Sequence, residues 1–213
     1  MSWQVNYALE NIRKSHGMES AQQISDDAIK IIIPNRSEAI AVISEKQLIN
    51  TEVAAQYHAN YPAIDFLCGY RKECAWEGKA IEYLESKSVG WGSAGTLGSA
   101  IHAGNIKTAA HKDYFFPYRL IRQIKSVSNL SREFDRVFTM TLANGRSVRV
   151  GMITEYEPTA DAIRTFWDRF GPINIAWNIN PNGDPTSNAI EAGLSLGCEV
   201  VKWEELRKIL QSR

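Results

Sequence analysis

The chain is poor in the residues on which covalent and metal chemistry is usually built. Its three cysteines, Cys68, Cys74 and Cys198, form no C-x-x-C pair and are odd in number. That argues against a disulfide framework and against a zinc knuckle, and it predicts a reducing, cytoplasmic setting. Only four histidines are present, His16, His58, His102 and His111, and none adjoins a recognisable nucleophile elbow. Cys68 falls within an apolar strand, where a thiol is ordinarily inert packing. Long hydrophobic runs are also lacking. No stretch approaches the roughly 18 apolar residues of a membrane span, and the opening MSWQVNYALENIRKSHG has no signal-peptide core. No membrane partner is expected.

Net charge is zero, from 24 basic and 24 acidic residues, but the charges are unevenly placed. Residues 107–149 carry Lys107, Lys112, Arg119, Arg122, Lys125, Arg132, Arg136, Arg146 and Arg149 against Asp113, Glu133 and Asp135. A basic segment of this kind is an electrostatic footprint for nucleic acid or for an acidic partner protein, unless it is simply a solvated face.

What is present is a repeat. Residues 62–101 lie over 171–210 without a gap at an offset of 109. Ile64 meets Ile173, Ala80-Ile81-Glu82 meets Ala189-Ile190-Glu191, Ser86 meets Ser195, and Leu97 meets Leu206. Upstream, IKIIIPNRSEAIAVISEK (29–46) lies over VFTMTLANGRSVRVGMITEY (137–156) once the loop absorbs a two-residue difference. Each is a pair of apolar runs around a turn, Pro34-Asn35-Arg36 or Ala143-Asn144-Gly145. Asn-Gly is a strong signal for a two-residue hairpin turn. A helix with a polar start follows each hairpin, at Thr51 and at Thr159. The expected fold is therefore α/β: an internal duplication of a hairpin-α-β-α-β-α unit, with mixed sheets flanked by helices. The predicted domains are 1–106, the first repeat with an N-terminal amphipathic helix, and 107–213, a basic linker and the second repeat. IRQIKSVSNLSREFD in the linker reads as an extra strand, and Ala103-Gly104-Asn105 as the stop before it.

Two loops have the composition of ligand sites. Gly90-Trp91-Gly92-Ser93-Ala94-Gly95 matches G-x-G-x-x-G, but it follows the last strand of its unit, no acidic strand end follows about 20 residues on, and its counterpart Glu199–Glu204 has no glycine. A tight strand-to-helix turn accounts for it. The loop Asn178–Ser187 follows a central strand, and Asn178, Asn180, Asp184 and Thr186 are its candidate ligand residues. Turn chemistry is the competing explanation, with Asp184 as helix cap and Pro185 at the first helical position. Trp76, Trp91, Trp177 and Trp203 read mainly as core packing, with base stacking as the alternative role.

The order of the unit resembles the scaffold of Mrr-like nucleases of the PD-(D/E)xK superfamily. The quoted segments are a strand (AIDFLCGY, INIAWNIN), a helix centred on Ala-Ile-Glu, a short strand (VGWGS, CEVVKW) and a last helix (GTLGSAI, EELRKIL). The resemblance covers about two-thirds of the chain through patterning, without a specific motif. It implies carboxylates on the hairpin strands holding Mg²⁺ and a lysine for the attacking water. Here Lys30 and Phe138 stand near the place of the first acid, and acids occur only at the far strand ends, Glu45 and Glu155. Asp27 and Asp135 are expected to match, so a pair Asp27/Glu45 or Asp135/Glu155 could flank a cation; Lys46 is the only lysine, replaced by Tyr156 in the second copy, which makes Asp27, Glu45 and Lys46 the candidate catalytic set. Both copies look degenerate. The expectation is a non-catalytic nuclease-like protein, without a cofactor, that binds nucleic acid or a partner protein in DNA metabolism or anti-phage defence. Lys112, Arg119, Arg122, Lys125, Arg132, Arg136, Arg146 and Arg149 would make the contact. A metal-dependent nuclease and a small-ligand or nucleotide module are the alternatives.

Overall fold

The computed structural model describes residues 3–71 and 73–211. It divides into two compact units, Met1–Lys112 and Asp113–Arg213, where the sequence placed a boundary near 106. Among the described residues no helix is long and apolar enough to cross a membrane.

The first unit opens with α1 (Trp3–His16), whose buried Val5, Ala8, Leu9 and Ile12 recur at helical spacing. Gly17, at φ 99, and a 3₁₀ turn lead into β1 (Ala21–Gln23). β2 (Ala28–Ile31) and β3 (Ala39–Ser44) form the hairpin. After β4 (Leu48–Ile49), α2 (Thr51–Asn60) is capped by Asn50, whose Oδ1 accepts from the Val53 N–H at 2.9 Å. Then come β5 (Phe66–Gly69), β6 (Ala75–Trp76), α3 (Gly78–Ser86), β7 (Gly90–Gly92) and α4 (Ala94–Ala103), which ends on the left-handed Gly104. The sheet order is β1-β2-β3-β5-β7, antiparallel as far as β3 and parallel beyond it, while β4 and β6 pair separately. Alternation divides its side chains between two cores. Ile29, Ala41, Ile43, Phe66 and Cys68 pack against α1 and α4, whereas Ala28, Val42, Leu67 and Trp91 pack against α2 and α3.

The second unit has α5 (Lys112–Ile121), β8 (Val127–Phe134), β9 (Val137–Leu142), β10 (Ser147–Ile153), α6 (Ala160–Phe170), β11 (Ile175–Asn178), α7 (Ser187–Ser195), β12 (Glu199–Val201) and α8 (Trp203–Gln211). Its sheet order is β12-β11-β10-β9-β8, with the same strand senses as the first. α5 and α8 cover one face of that sheet, and α6 packs on α7.

The registers correspond residue by residue. Ala28 faces Val42 as Val137 faces Gly151, Ala41 faces Phe66 as Val150 faces Ile175, and Phe66 faces Gly90 as Ile175 faces Glu199. Ala21 faces Ile31 as Leu130 faces Met140. In each case the second position is 109 residues beyond the first. Even side-chain bonds recur: the Asp65 carboxylate accepts from the Ile40 N–H at 2.8 Å, and the Asn174 amide oxygen from the Arg149 N–H at 2.8 Å.

Three details of the sequence alignment change. The hairpins align without a two-residue gap. The supposed linker contains α5 and β8, which stand where α1 and β1 stand. The single offset also sets Asp27 against Arg136 and Lys46 against Glu155, not Asp27 against Asp135 and Glu45 against Glu155. Both Asp27 and Arg136 contribute the backbone carbonyl that accepts from the next strand, from Ile43 and Met152 respectively. The Ala143-Asn144-Gly145 turn is a three-residue loop. Leu142 and Arg146 close it, Gly145 has φ 83, and Asn144 is not left-handed, so a two-residue turn with two positive φ values is ruled out.

Candidate nucleic-acid interface

Most guanidinium groups of the basic segment are held within their own unit. Arg136 forks onto the buried Asp135, at 3.0 Å to Oδ1 and 2.8 Å to Oδ2, with its face over the Tyr114 ring at 4.8 Å. Arg149 donates to both oxygens of Glu133, the shortest at 2.7 Å, and to the Phe170 carbonyl at 2.8 Å. That fork, helped by the Thr139 hydroxyl, holds the Glu133 carboxyl below its ordinary range against the opposing effect of burial. Arg146 donates to the Ile209 carbonyl, Arg132 lies 3.9 Å over the Tyr118 ring, and Lys107 pairs with Asp65 at 3.0 Å. The Lys112 ammonium lies beside Gly95, 3.3 Å from where a side chain there would begin.

Arg119, Arg122 and Lys125 remain. All three are exposed, and no carboxylate among the described residues lies within ion-pair distance of them. Arg119 sits over the Phe115 ring at 5.7 Å and Arg122 over the Tyr118 ring at 6.0 Å. Lys125 lines a groove of about 520 Å³ between α8 and the turn that joins α5 to β8, together with Gln123, Ser126, Trp203, Arg207 and Gln211. Arg207 and Trp203 lie outside the segment that charge density singled out. Their signal was helical spacing: Trp203, Arg207 and Gln211 follow one another every four residues along α8, on the flank next to the buried Leu206 and Leu210.

The matching groove of the first unit, between α1 and α4, is different. About 360 Å³ in volume, it is walled by Ala8, Ile12, Ala94, Leu97, Gly98 and Ile101, with His16 and His102 also in its lining. Ala94 and Gly98 stand where the second unit has Trp203 and Arg207.

Asp27 and Glu45 lie towards one end of the first sheet. Asp27 accepts from the Tyr61 hydroxyl and from Ser25 at 3.1 Å. Glu45 and Lys46 are exposed just beyond β3, and Gln4 reaches Glu45 at 3.5 Å. The Tyr57 hydroxyl donates to Ser44 at 3.1 Å. Its phenol is pushed up by burial first, and then by the charges of Asp27 and Glu45. Among the described residues no group of three His, Cys, Asp or Glu side chains could hold a metal ion. In the second unit the corresponding positions are Arg136, Thr154 and Glu155, and Phe166 and Phe170 replace Tyr57 and Tyr61.

The other candidate loops are bound up in their own structure. The Asn178 side chain accepts from the Asn180 N–H, and the Asn180 side chain accepts from Asn182 and donates to the Thr154 carbonyl. Lys202 donates to the carbonyls of Asn180 and Gly183. Thr186, not Asp184, caps α7; Asp184 and Pro185 both precede the cap. A side chain at Gly183 would begin 1.7 Å from the Tyr156 carbonyl oxygen. In the Gly90–Gly95 turn, Gly90 lets the backbone of Ile106 pass, Gly92 has φ 145, and Ser93 caps α4. The first-turn amide of Thr96 is thus already bonded. Trp76, Trp91 and Trp177 are buried, while Trp203 is half-buried. His111 is buried beside Trp91. No protein-family model, curated protein or solved structure matches the chain.

Proposed function

We propose that the chain is a tandem pair of nuclease-like units, two copies of one ancestral scaffold, that binds nucleic acid through α5 and α8 of the second copy. The observation that carries this reading is a set of exposed cations, Arg119 on α5, Arg122 and Lys125 in the turn after it and Arg207 on α8, none of which has a carboxylate within ion-pair distance among the described residues. Unpaired surface cations keep their full attraction for phosphates, whereas Arg136 and Arg149 would first have to break their forks onto the buried Asp135 and the half-buried Glu133. The contact set is therefore narrower than the whole basic segment.

Binding of a labelled oligonucleotide, followed by anisotropy from 50 to 300 mM salt, tests the reading. Neutralising about four phosphates gives a log–log slope of roughly −3. Replacing all four cations by glutamine should flatten it towards zero. A slope that survives the fourfold change, or no binding at the lowest salt, would sink the proposal.

A further inference from the structure

We infer that the α5–α8 groove takes a single strand, DNA or RNA, with Trp203 as the residue on which an unpaired base stacks; this rests on the function proposed above. A duplex offers a convex backbone and keeps its base faces hidden, so helix cations alone suffice to hold it. A concave site with an aromatic wall has no use for a duplex. Surfaces for single strands combine a cationic track with rings that accept base faces. The second unit has both.

The groove is large enough, at about 520 Å³, for flat rings to enter. Trp203 lines it and is backed by the buried Trp177, with ring centroids 5.3 Å apart and planes inclined by 35°. An indole held in this way is a preorganised stacking surface. Lys125 and Arg207 flank it for phosphates, and the amides of Gln123 and Gln211 supply donors and acceptors for base edges. Along α5, Phe115 and Phe116 are 48% and 63% exposed between Lys112 and Arg119. Paired apolar rings on a cationic helix are unusual unless something covers them. The first unit provides an internal control, because its matching groove has Ala94 for Trp203 and Gly98 for Arg207.

The test compares a 12-nucleotide DNA strand, an RNA of the same sequence and the 12-base-pair duplex. Each is titrated against the full chain and against Trp203→Leu, Trp203→Phe and Arg207→Gln, with melting temperature as the folding control. Single strands are expected to bind at least tenfold tighter than the duplex. Trp203→Leu should weaken single-strand binding roughly tenfold, the worth of one stacked base, and leave duplex binding unchanged. Trp203→Phe should retain most of the affinity at an unchanged melting temperature. Duplex binding as tight as that of single strands would overturn the inference while leaving the nucleic-acid reading intact. So would a Trp203→Leu variant that melts normally and binds single strands as before. Failure of all three nucleic acids to bind overturns both.

Discussion

Arg149 shows how a cation that looks free in the sequence is used within the fold. Its fork onto Glu133 joins β8 to β10; the same Nη2 also donates to the Phe170 carbonyl at the end of α6, and Nη1 donates to the Pro172 carbonyl. Arg149→Met leaves a half-buried carboxylate and a carbonyl without their donor, so the second unit should lose roughly 2–4 kcal/mol of stability. The pH dependence has a definite sign. Glu133 has a folded pKa below its unfolded value of about 4.5. Its contribution is therefore present above pH 4.5 and lost as pH falls through the folded value. Melting curves from pH 7 to pH 3 should show this acid-limb loss in the native chain and a smaller one in Arg149→Met. Equal limbs would contradict the assignment. Sequence reading counted Arg149 among the phosphate contacts because charge density along the chain is blind to a partner two strands away in the sheet.

At the scale of elements, the tail of each unit was legible because its signals are local. The periodic apolar positions of α3 and α7 carry their own patterns, and so do the edge strands β7 and β12. α5 and β8 were not legible as counterparts of α1 and β1. Pro117 and a run of rings interrupt the helical pattern: at the sixth position of α5 the proline removes a backbone donor and its ring crowds the carbonyl one turn back. Matched helix ends supply a test. α3 and α7 each finish before a left-handed residue, Ser88 at φ 56 and Gly197 at φ 74. An L-residue pays about 1–2 kcal/mol for that conformation, partly offset by the greater freedom of glycine in the unfolded chain. Ser88→Gly should therefore raise the melting temperature by a few degrees, and Gly197→Ala, which meets nothing within 4 Å, should lower it by a similar amount. Thermal denaturation that moved in the opposite directions would show that side-chain contacts, not φ, decide these ends.

Across the whole molecule, the two units keep their registers and exchange their chemistry. The matched positions Asp27 and Arg136, Glu45 and Thr154, Lys46 and Glu155, Tyr57 and Phe166, and Tyr61 and Phe170 set a polar cluster against a plugged one. In the second unit the guanidinium of Arg136 bridges Asp135 and covers Tyr114, and Phe166 and Phe170 pack at 4.7 Å. Gly151 admits the Phe166 ring, which would otherwise lie 2.4 Å from a side chain there. Those residues hold no cation. The first unit keeps two carboxylates near one phenol, but Tyr61 and Ser25 already occupy one oxygen of Asp27. Two-metal phosphodiester hydrolysis needs carboxylates that converge on the ion and leave it open positions. On the proposed reading, supercoiled plasmid incubated with Mg²⁺ or Mn²⁺ should stay intact at concentrations where single strands are bound. Cleavage abolished by Asp27→Asn and by Glu45→Gln, each at an unchanged melting temperature, would instead identify the first unit as a working metal centre and the second as its substrate-binding partner. Binding without cleavage is what the proposed reading expects of a scaffold whose carboxylates do not converge on an ion.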